Sequence, residues 1–330
     1  MPNDPHAPLI SVLMAVCNGE RFVREAVDSI VNQSFRDFEF IVIDDGSTDG
    51  TRTIIESYSD PRIRAFRNEQ NIGLTRSLNK GLALARGKYI ARQDADDISY
   101  SHRFACQTAY LRSHPEIVAL GAQLCFIDED GLPIGNESRV TRHDDIVAML
   151  MRGEGALPHP VVMMRADVIG EVGGYREKFM AAQDLDLWLR LAERGRLANL
   201  ESVLLKYRLH ELQVGSARRE LQLKAARHAV IDAYDRQGKP TPMTLEIDGQ
   251  FAVASWELHH RWSLMALRAG NRLTAIKHAM IGVRQARQSA TSWWILLTSI
   301  CPRVQSRLRD MRQHFLANSQ RNQTEARTGD

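Results

Sequence analysis

Over residues 9–208 the chain alternates short apolar runs with segments of helical period, and this alternation constrains the fold more than any other feature of the sequence. Residues 9–16 are apolar almost throughout, as in a strand covered on both faces, and residues 20–32 then place Phe22, Val23, Ala26, Val27 and Ile30 on one helical face. The pattern repeats with a strand at 38–45, a turn at 46–50, a helix at 51–57, a strand at 63–66, a loop at 68–73, a helix at 74–85 and a strand at 89–92. Strands that alternate with helices imply a parallel sheet with both faces covered. Farther on, helices are expected at 103–113, 144–152, 166–172 and 183–193, and strands at 118–127, 161–164 and 203–208. From residue 216 the pattern is helical only, with breaks at 238–242 and 301–302.

In a sheet of this kind ligands bind beyond the carboxyl ends of the strands. Two acidic groups stand there: Asp44 and Asp45 close the second strand, and Asp94, Asp96 and Asp97 follow the strand at 89–92. Adjacent carboxylates repel unless a cation sits among them, and oxygen-only ligation suits hard ions such as Mg²⁺ or Mn²⁺. A divalent ion held this way grips a diphosphate. The competing reading is a solvated, Asp-rich turn capping the helix that begins near Ser101. That reading invokes chance twice, because both groups should face one crevice.

A chain of 330 residues accommodates one large α/β domain and an appendage. Hydrophobic residues make up 44% and charged residues 25%, which excludes wholesale disorder. Cys17, Cys106, Cys125 and Cys301 form no CxxC pair, which argues against zinc and a disulfide framework and for a reducing compartment. Residues 1–8 lack the basic patch and apolar core of a secretory signal, and no stretch reaches the ~18 apolar residues needed to span a bilayer. The expected location is the cytoplasm. The net charge of +3 hides an asymmetry: residues 256–330 hold twelve Lys and Arg against four Asp and Glu, a net +8, leaving −5 elsewhere. Neither GxxxxGK[ST] nor GxGxxG occurs in a fitting context, which disfavours a P-loop or a dinucleotide site.

Several segments occur together in a fixed order. They are residues 11–20, the run Ile43-Asp44-Asp45-Gly46-Ser47-Thr48-Asp49, the pair Asn71-Ile72-Gly73-Leu74 and Asn79-Lys80-Gly81, and residues 85–91 leading into the acidic run. Gly173-Gly174-Tyr175 and Gln183-Asp184-Leu185-Asp186-Leu187-Trp188 complete the set. In this combination the chain resembles family 2 glycosyltransferases of the GT-A fold, especially bacterial enzymes that build surface polysaccharides, over roughly residues 9–215. The expected organisation is a GT-A domain at 1–215, a Rossmann-like, mostly parallel sheet with helices on both faces, then a helical region at 216–317 and a disordered tail at 318–330. The resemblance implies inverting transfer of a sugar from a nucleoside-diphosphate donor, most often a UDP-sugar, to a hydroxyl of a saccharide or lipid-linked acceptor, with Mn²⁺ or Mg²⁺ as cofactor.

The resemblance also carries roles onto matching positions. Asp96 is expected to bind the metal directly, Asp94 to stand near metal or ribose, and Asp97 either to orient the site or to cap the next helix. Asp45 matches a carboxylate that accepts from the nucleobase, Ala15 contributes backbone beside the base, and Asn71 lines the nucleoside pocket or braces its own loop. Asp184 matches the catalytic base, with Gln183 where the family has Glu, while Asp186 is read as structural. His210 either completes the metal site or is a solvent-facing loop histidine. Arg208 and Arg76 are candidates for phosphate contact, although the family often has Arg where this chain has Leu78. His159-Pro160 either flanks the acceptor cleft or forms a rigid turn.

Two competing functions share parts of this pattern. A sugar nucleotidyltransferase would need a glycine- and basic-rich N-terminal loop that is missing here, and a non-catalytic nucleotide-sugar-binding protein would lose the base, whereas Asp184 is present. No nucleic-acid motif accompanies the basic C-terminal region, so nucleic acid is not an expected partner. Residues 293–300, followed by Arg303, Arg307, Arg309 and Arg312, read either as a basic amphipathic helix on an anionic membrane or as a helix packed on protein.

Overall fold

The computed structural model describes residues 7–179, 181–211, 216–242 and 254–301. The expected tail and the four arginines after residue 302 lie outside them. The chain divides into two compact units, one of Met1–Gly131 and Asn136–Ala252, the other of Leu132–Gly135 and Val253–Asp330.

The first unit opens as the periodicity predicts: β1 (Ile10–Val16), α1 (Val23–Val31), β2 (Phe38–Asp44), α2 (Thr51–Glu56), β3 (Ile63–Arg67), α3 (Leu74–Leu84) and β4 (Tyr89–Arg92). These four strands are mutually parallel in the order β3, β2, β1, β4. Then come β5 (Ile98–Ser99), α4 (Arg103–Ser113), β6 (Ile117–Ile127), β7 (Pro133–Glu137), which contributes to both units, and α5 (His143–Leu150). A single 3₁₀ turn (His159–Val161), β8 (Met163–Arg165), α6 (Ala166–Glu171), α7 (Gln183–Ala192), β9 (Arg196–Arg208) and α8 (Ser216–Arg236) complete it. The sheet continues from β4 through β8, β6 and β9 to β5. β8 is antiparallel to both neighbours and β5 is antiparallel to β9, while β6 and β9 run parallel.

Alternation along each strand builds the two helix-covered faces. Val12, Met14 and Val16 of β1 and Phe40 and Val42 of β2 pack with Val27 and Ile30 of α1 and Phe104 of α4. Leu13, Ile41 and Ile43 point the other way, toward Leu78 of α3 and Trp188 of α7. Ala226, Ala229, Val230 and Ala233 of α8 join this second face, so α8, although it lies beyond residue 215, packs in the core of the sheet unit. Each fully buried Val, Leu, Ile or Phe side chain among them contributes about 1.5–3 kcal/mol.

Three expectations shift. β9 begins seven residues earlier than the apolar run at 203–208, because register irregularities let it continue past the polar Glu201-Ser202 pair. β5 is two residues long and has no periodicity to read. Val161 lies in the 3₁₀ turn, and β8 starts at Met163.

The second unit contains α9 (Ser255–Arg268), α10 (Arg272–Gln285) and α11 (Ala290–Ile300). Trp262, Ala266, Ala275, Ala279 and Ile295 are buried in it. Gly282 lets α10 approach α9, since a Cβ there would stand 2.6 Å from the His260 ring. No helix among the described residues is long and apolar enough to cross a membrane.

Candidate active site

The carboxyl ends of β1, β2 and β4 bring the first acidic group and the loop at 68–73 together. Asp45, buried just past β2, accepts hydrogen bonds from Asn68 Nδ2 (2.8 Å), the Ile72 amide (2.9 Å) and the Gly73 amide (2.9 Å). Burial pushes this carboxyl up, but the donors outweigh it and hold the group below the ordinary aspartate range. With Ser77, whose side chain also hydrogen-bonds to this carboxyl, these groups occupy its roughly four lone-pair positions. Gly46 is obligatory beside it: φ is +71°, and a Cβ would lie 2.5 Å from the Gln70 backbone. Asp44, with its side chain sent the other way, accepts from the Ser47 amide (2.9 Å). Asn71 is exposed and donates toward Cys17 Sγ (3.1 Å), which follows Ala15 and Val16 at the end of β1.

The acidic run after β4 rests on three fully buried arginines. Arg92 donates to the Asp94 carboxylate, to the carbonyls of Leu13 (2.7 Å) and Gln93 (2.9 Å), and to His159 Nε2 (3.1 Å). Arg103 donates to the Arg92 carbonyl (2.7 Å) and to Ser99 Oγ (2.9 Å), and burial followed by the Arg92 charge pulls its guanidinium down to about 9. Arg208 donates to the carbonyls of Asp96 (2.8 Å) and Glu129 (2.9 Å) and to Glu25 Oε2 (2.6 Å). The cations that so many neighbouring carboxylates require are therefore built into the fold. This corrects the phosphate role considered for Arg208, whose guanidinium is sequestered; Arg76 is paired on the surface with Glu177 at 2.9 Å.

The three aspartates of the run have different surroundings. Asp97 is buried and accepts from the Arg208 amide (2.8 Å), so it pins the end of β9 beneath the loop. Burial, then the charges of Asp96 and Asp94, raise its carboxyl well above the usual range. Asp94 is half-buried and turned toward Arg92; burial raises it and the Arg92 charge opposes the shift. Asp96 is half-buried, and its Oδ2 lies 3.1 Å from His210 Nε2 just beyond β9. Of the expected trio Asp94, Asp96 and His210, the fold pairs the last two, and among the described residues no group of three or more metal-binding side chains is preassembled. A carboxylate and an imidazole still suit a hard divalent ion that draws its remaining oxygen ligands from a diphosphate and water.

Asp184 sits in the first turn of α7, after Ala182 in a left-handed conformation (φ 60°), and accepts from the Leu185 amide (2.9 Å). Burial raises its carboxyl above the ordinary range; the Leu185 amide opposes the rise and the charge of Asp94 adds to it. Asp184 also lines a cavity of about 200 Å³ with Leu150, Leu157, Leu185, Trp188 and Leu223. Asp186 points into the protein, fully buried between Arg190 (2.7 Å) and Arg176, as a structural residue does.

Two contacts join the acidic loop to the α7 side. His159 is buried in the 3₁₀ turn, and because Arg92 Nε must donate to its Nε2, the Tyr175 hydroxyl 2.8 Å away also donates there. His159 and Pro160 form this 3₁₀ turn with Val161. Asn79 of α3 holds the Tyr175 backbone from both sides, donating to its carbonyl (2.7 Å) and accepting from its amide (3.0 Å). Sequence reasoning missed Arg92, Arg103 and Tyr175; an arginine ending the otherwise apolar run before three aspartates was the available signal for Arg92.

The family model for glycosyl transferase family 2 matches residues 11–173. The putative glycosyltransferase EpsE of Bacillus subtilis is 37% identical over 207 residues, 61% of this chain and 73% of that protein. The O-antigen biosynthesis glycosyltransferase WbnJ of Escherichia coli is 35% identical over 61% of this chain and 80% of its own length. The amylovoran biosynthesis glycosyltransferase AmsE of Erwinia amylovora is 29% identical over 61% of this chain and 76% of its own. Among solved structures, S. aureus TarS 1-349 in complex with UDP-GlcNAc superposes with a TM-score of 0.54 at 15% identity, covering 88% of this chain and 90% of that one. The mannosyltransferase PcManGT of Pyrobaculum calidifontis, in complex with GDP-Man and Mn²⁺, gives 0.52 at 17% identity, covering 92% and 83%. Likeness at those identities concerns the fold.

Proposed function

The chain belongs to glycosyl transferase family 2, and from that premise we propose that it moves a sugar, with inversion, from a nucleoside-diphosphate donor to a hydroxyl of a saccharide or lipid-linked saccharide in cell-surface polysaccharide synthesis. The observation that carries the reading is the pairing of Asp96 Oδ2 with His210 Nε2 at 3.1 Å, where the two groups could hold a divalent ion against a diphosphate. TarS and PcManGT were captured with UDP-GlcNAc and GDP-Man, which share a diphosphate, and WbnJ and AmsE are named for O-antigen and amylovoran synthesis. These support the donor class and the product class.

In this reading Asp184 takes the proton from the acceptor hydroxyl as its oxygen attacks the anomeric carbon from the face opposite the diphosphate. The bond from that carbon to the diphosphate oxygen breaks, and its electron pair leaves with the nucleoside diphosphate. Burial raises the proton affinity of Asp184, which favours proton capture from the acceptor hydroxyl. Asp96 and His210 would hold a divalent ion, Mn²⁺ or Mg²⁺, which when bound supplies positive charge to the departing diphosphate. Asp94, steadied by Arg92, faces the metal and ribose side. Ala15 backbone, Asn71 and Asp45 with the loop it organises form the nucleoside wall.

A donor screen with Mn²⁺ or Mg²⁺, reading released nucleotide in the presence of acceptor, tests the reading. Turnover by wild type and its loss in Asp184→Asn are expected. Unchanged turnover in Asp184→Asn would remove the assigned base.

A further inference from the structure

Helix α11 is inverted relative to a helix that packs in water. Its buried face is Ser292, Ile295, Thr298 and Ser299, whereas Trp293, Trp294, Leu297 and Ile300 are 53, 46, 46 and 45% exposed. The outward stripe runs from Trp293 to Ile300, eight residues and about 10 Å at the helical rise. Single exposed apolar residues are ordinary, but a contiguous aromatic and aliphatic stripe is not.

Basic side chains stand at both ends of the stripe. At one end the Trp293 indole donates to the Arg287 carbonyl (2.8 Å), which fixes the ring beside the turn that carries the exposed Arg284 and Arg287. At the other end Arg272 donates to the carbonyls of Ser299 (3.3 Å) and Ile300, and Leu273 beside it is 82% exposed. Across residues 254–301 six Lys and Arg face one acid, Glu257. A protein partner would be expected to meet some acidic complement on this surface, and there is almost none. Tryptophan prefers the headgroup level of a bilayer, and cations attract anionic headgroups.

We propose that this face of the C-terminal unit binds the surface of an anionic lipid bilayer, with Trp293, Trp294, Leu297 and Ile300 inserted at headgroup depth and Arg272, Arg284 and Arg287 held among the lipid phosphates. The helix lies in the membrane plane, since none of the described helices can span it. The inference stands on this unit alone and is independent of the donor-site reading.

Flotation of the full chain with vesicles tests it. The protein should float with equimolar phosphatidylcholine and phosphatidylglycerol and stay behind with phosphatidylcholine alone. Joint Trp293→Ser and Trp294→Ser substitution should lower the bound fraction roughly tenfold or more, and joint Arg284→Glu and Arg287→Glu should erase the preference for anionic vesicles. Far-UV circular dichroism and the melting temperature of both variants should match those of wild type, which shows that they fold. As a second measurement, brominated lipid should quench wild-type tryptophan emission more than that of the double Trp variant. Wild type that fails to float, or Trp variants that float equally, overturn the proposal. So does a wild-type dimer that the Trp substitutions convert to monomer without changing flotation, since the stripe would then be covered by a second copy.

Discussion

His210 Nε2 lies 3.1 Å from Asp96 Oδ2, although 114 residues separate the two in sequence. The contact closes because Arg208, two residues before His210, is fixed by its own amide to Asp97 and by its guanidinium to the Asp96 carbonyl. The end of β9 is thus stitched to the acidic loop at three points, and the histidine is delivered to the carboxylate by the last of them.

Replacing His210 by alanine should weaken Mn²⁺-supported donor binding by about 10–100-fold, the range typical of disturbed metal sites. The loss should be smaller with Mg²⁺, because imidazole is the poorer partner for the harder ion. Calorimetry of nucleotide-sugar binding with each ion checks this, and equal losses would mean that His210 is not a ligand.

Asp184→Asn should lower kcat by about 10²–10⁴-fold with little change in donor affinity. In wild type the carboxyl must be ionised to act, so activity rises with pH through its folded pKa. Burial and the Asp94 charge place that limb above the ordinary aspartate value of 3.8. A pH–rate profile whose acid limb stays at or below that value would contradict the assignment.

Asp97→Asn should be tolerated and, with divalent ions chelated, should change how stability depends on pH. The folded pKa of Asp97 is raised by burial and by Asp96 and Asp94, so its contribution to stability is full at low pH and is lost as pH rises through the folded value. The amide can still accept from Arg208 without that loss. Thermal denaturation across acidic to neutral pH should therefore show a flatter profile in the variant, and a steeper one would refute the account.

Glu39 gives the opposite sign. Burial alone would raise it, but Ser11 Oγ (2.7 Å), Arg64 (2.5 Å) and Arg86 (2.9 Å) outweigh burial and hold it low. Its stabilising effect is present above the unfolded carboxyl value and lost as pH falls through the folded one. Glu39→Gln should cost about 1–3 kcal/mol in denaturant unfolding near neutral pH. Donor binding measured on the surviving folded protein should be unchanged, because the cluster joins β1, β2, β3 and the residues after α3, away from the acidic loop.

Much of the fold was legible because it depends on local periodicity. The continuous apolar runs of β1 and β2 and the helical stripes of α1, α3 and α7 are properties of short windows, and the windows agree with the elements to within a few residues. β5 and the first half of β9 were illegible for the same reason, since a two-residue strand and an irregular one have no period of their own. The candidate residues Asp45, Asp94, Asp96 and Asp184 were identifiable from their types and places in ordered motifs.

By itself the sequence determined the alternating sheet architecture, the family and the positions of its carboxylates, because backbone pattern and motif order are written along the chain. Only the tertiary structure decided which groups answer those carboxylates. Arg92 steadies Asp94, Arg208 ties down Asp97, His210 meets Asp96, and His159 with Tyr175 bridges toward α7. Charge compensation acts over a few ångströms in space, and strands distant in sequence are brought that close only when the sheet is assembled.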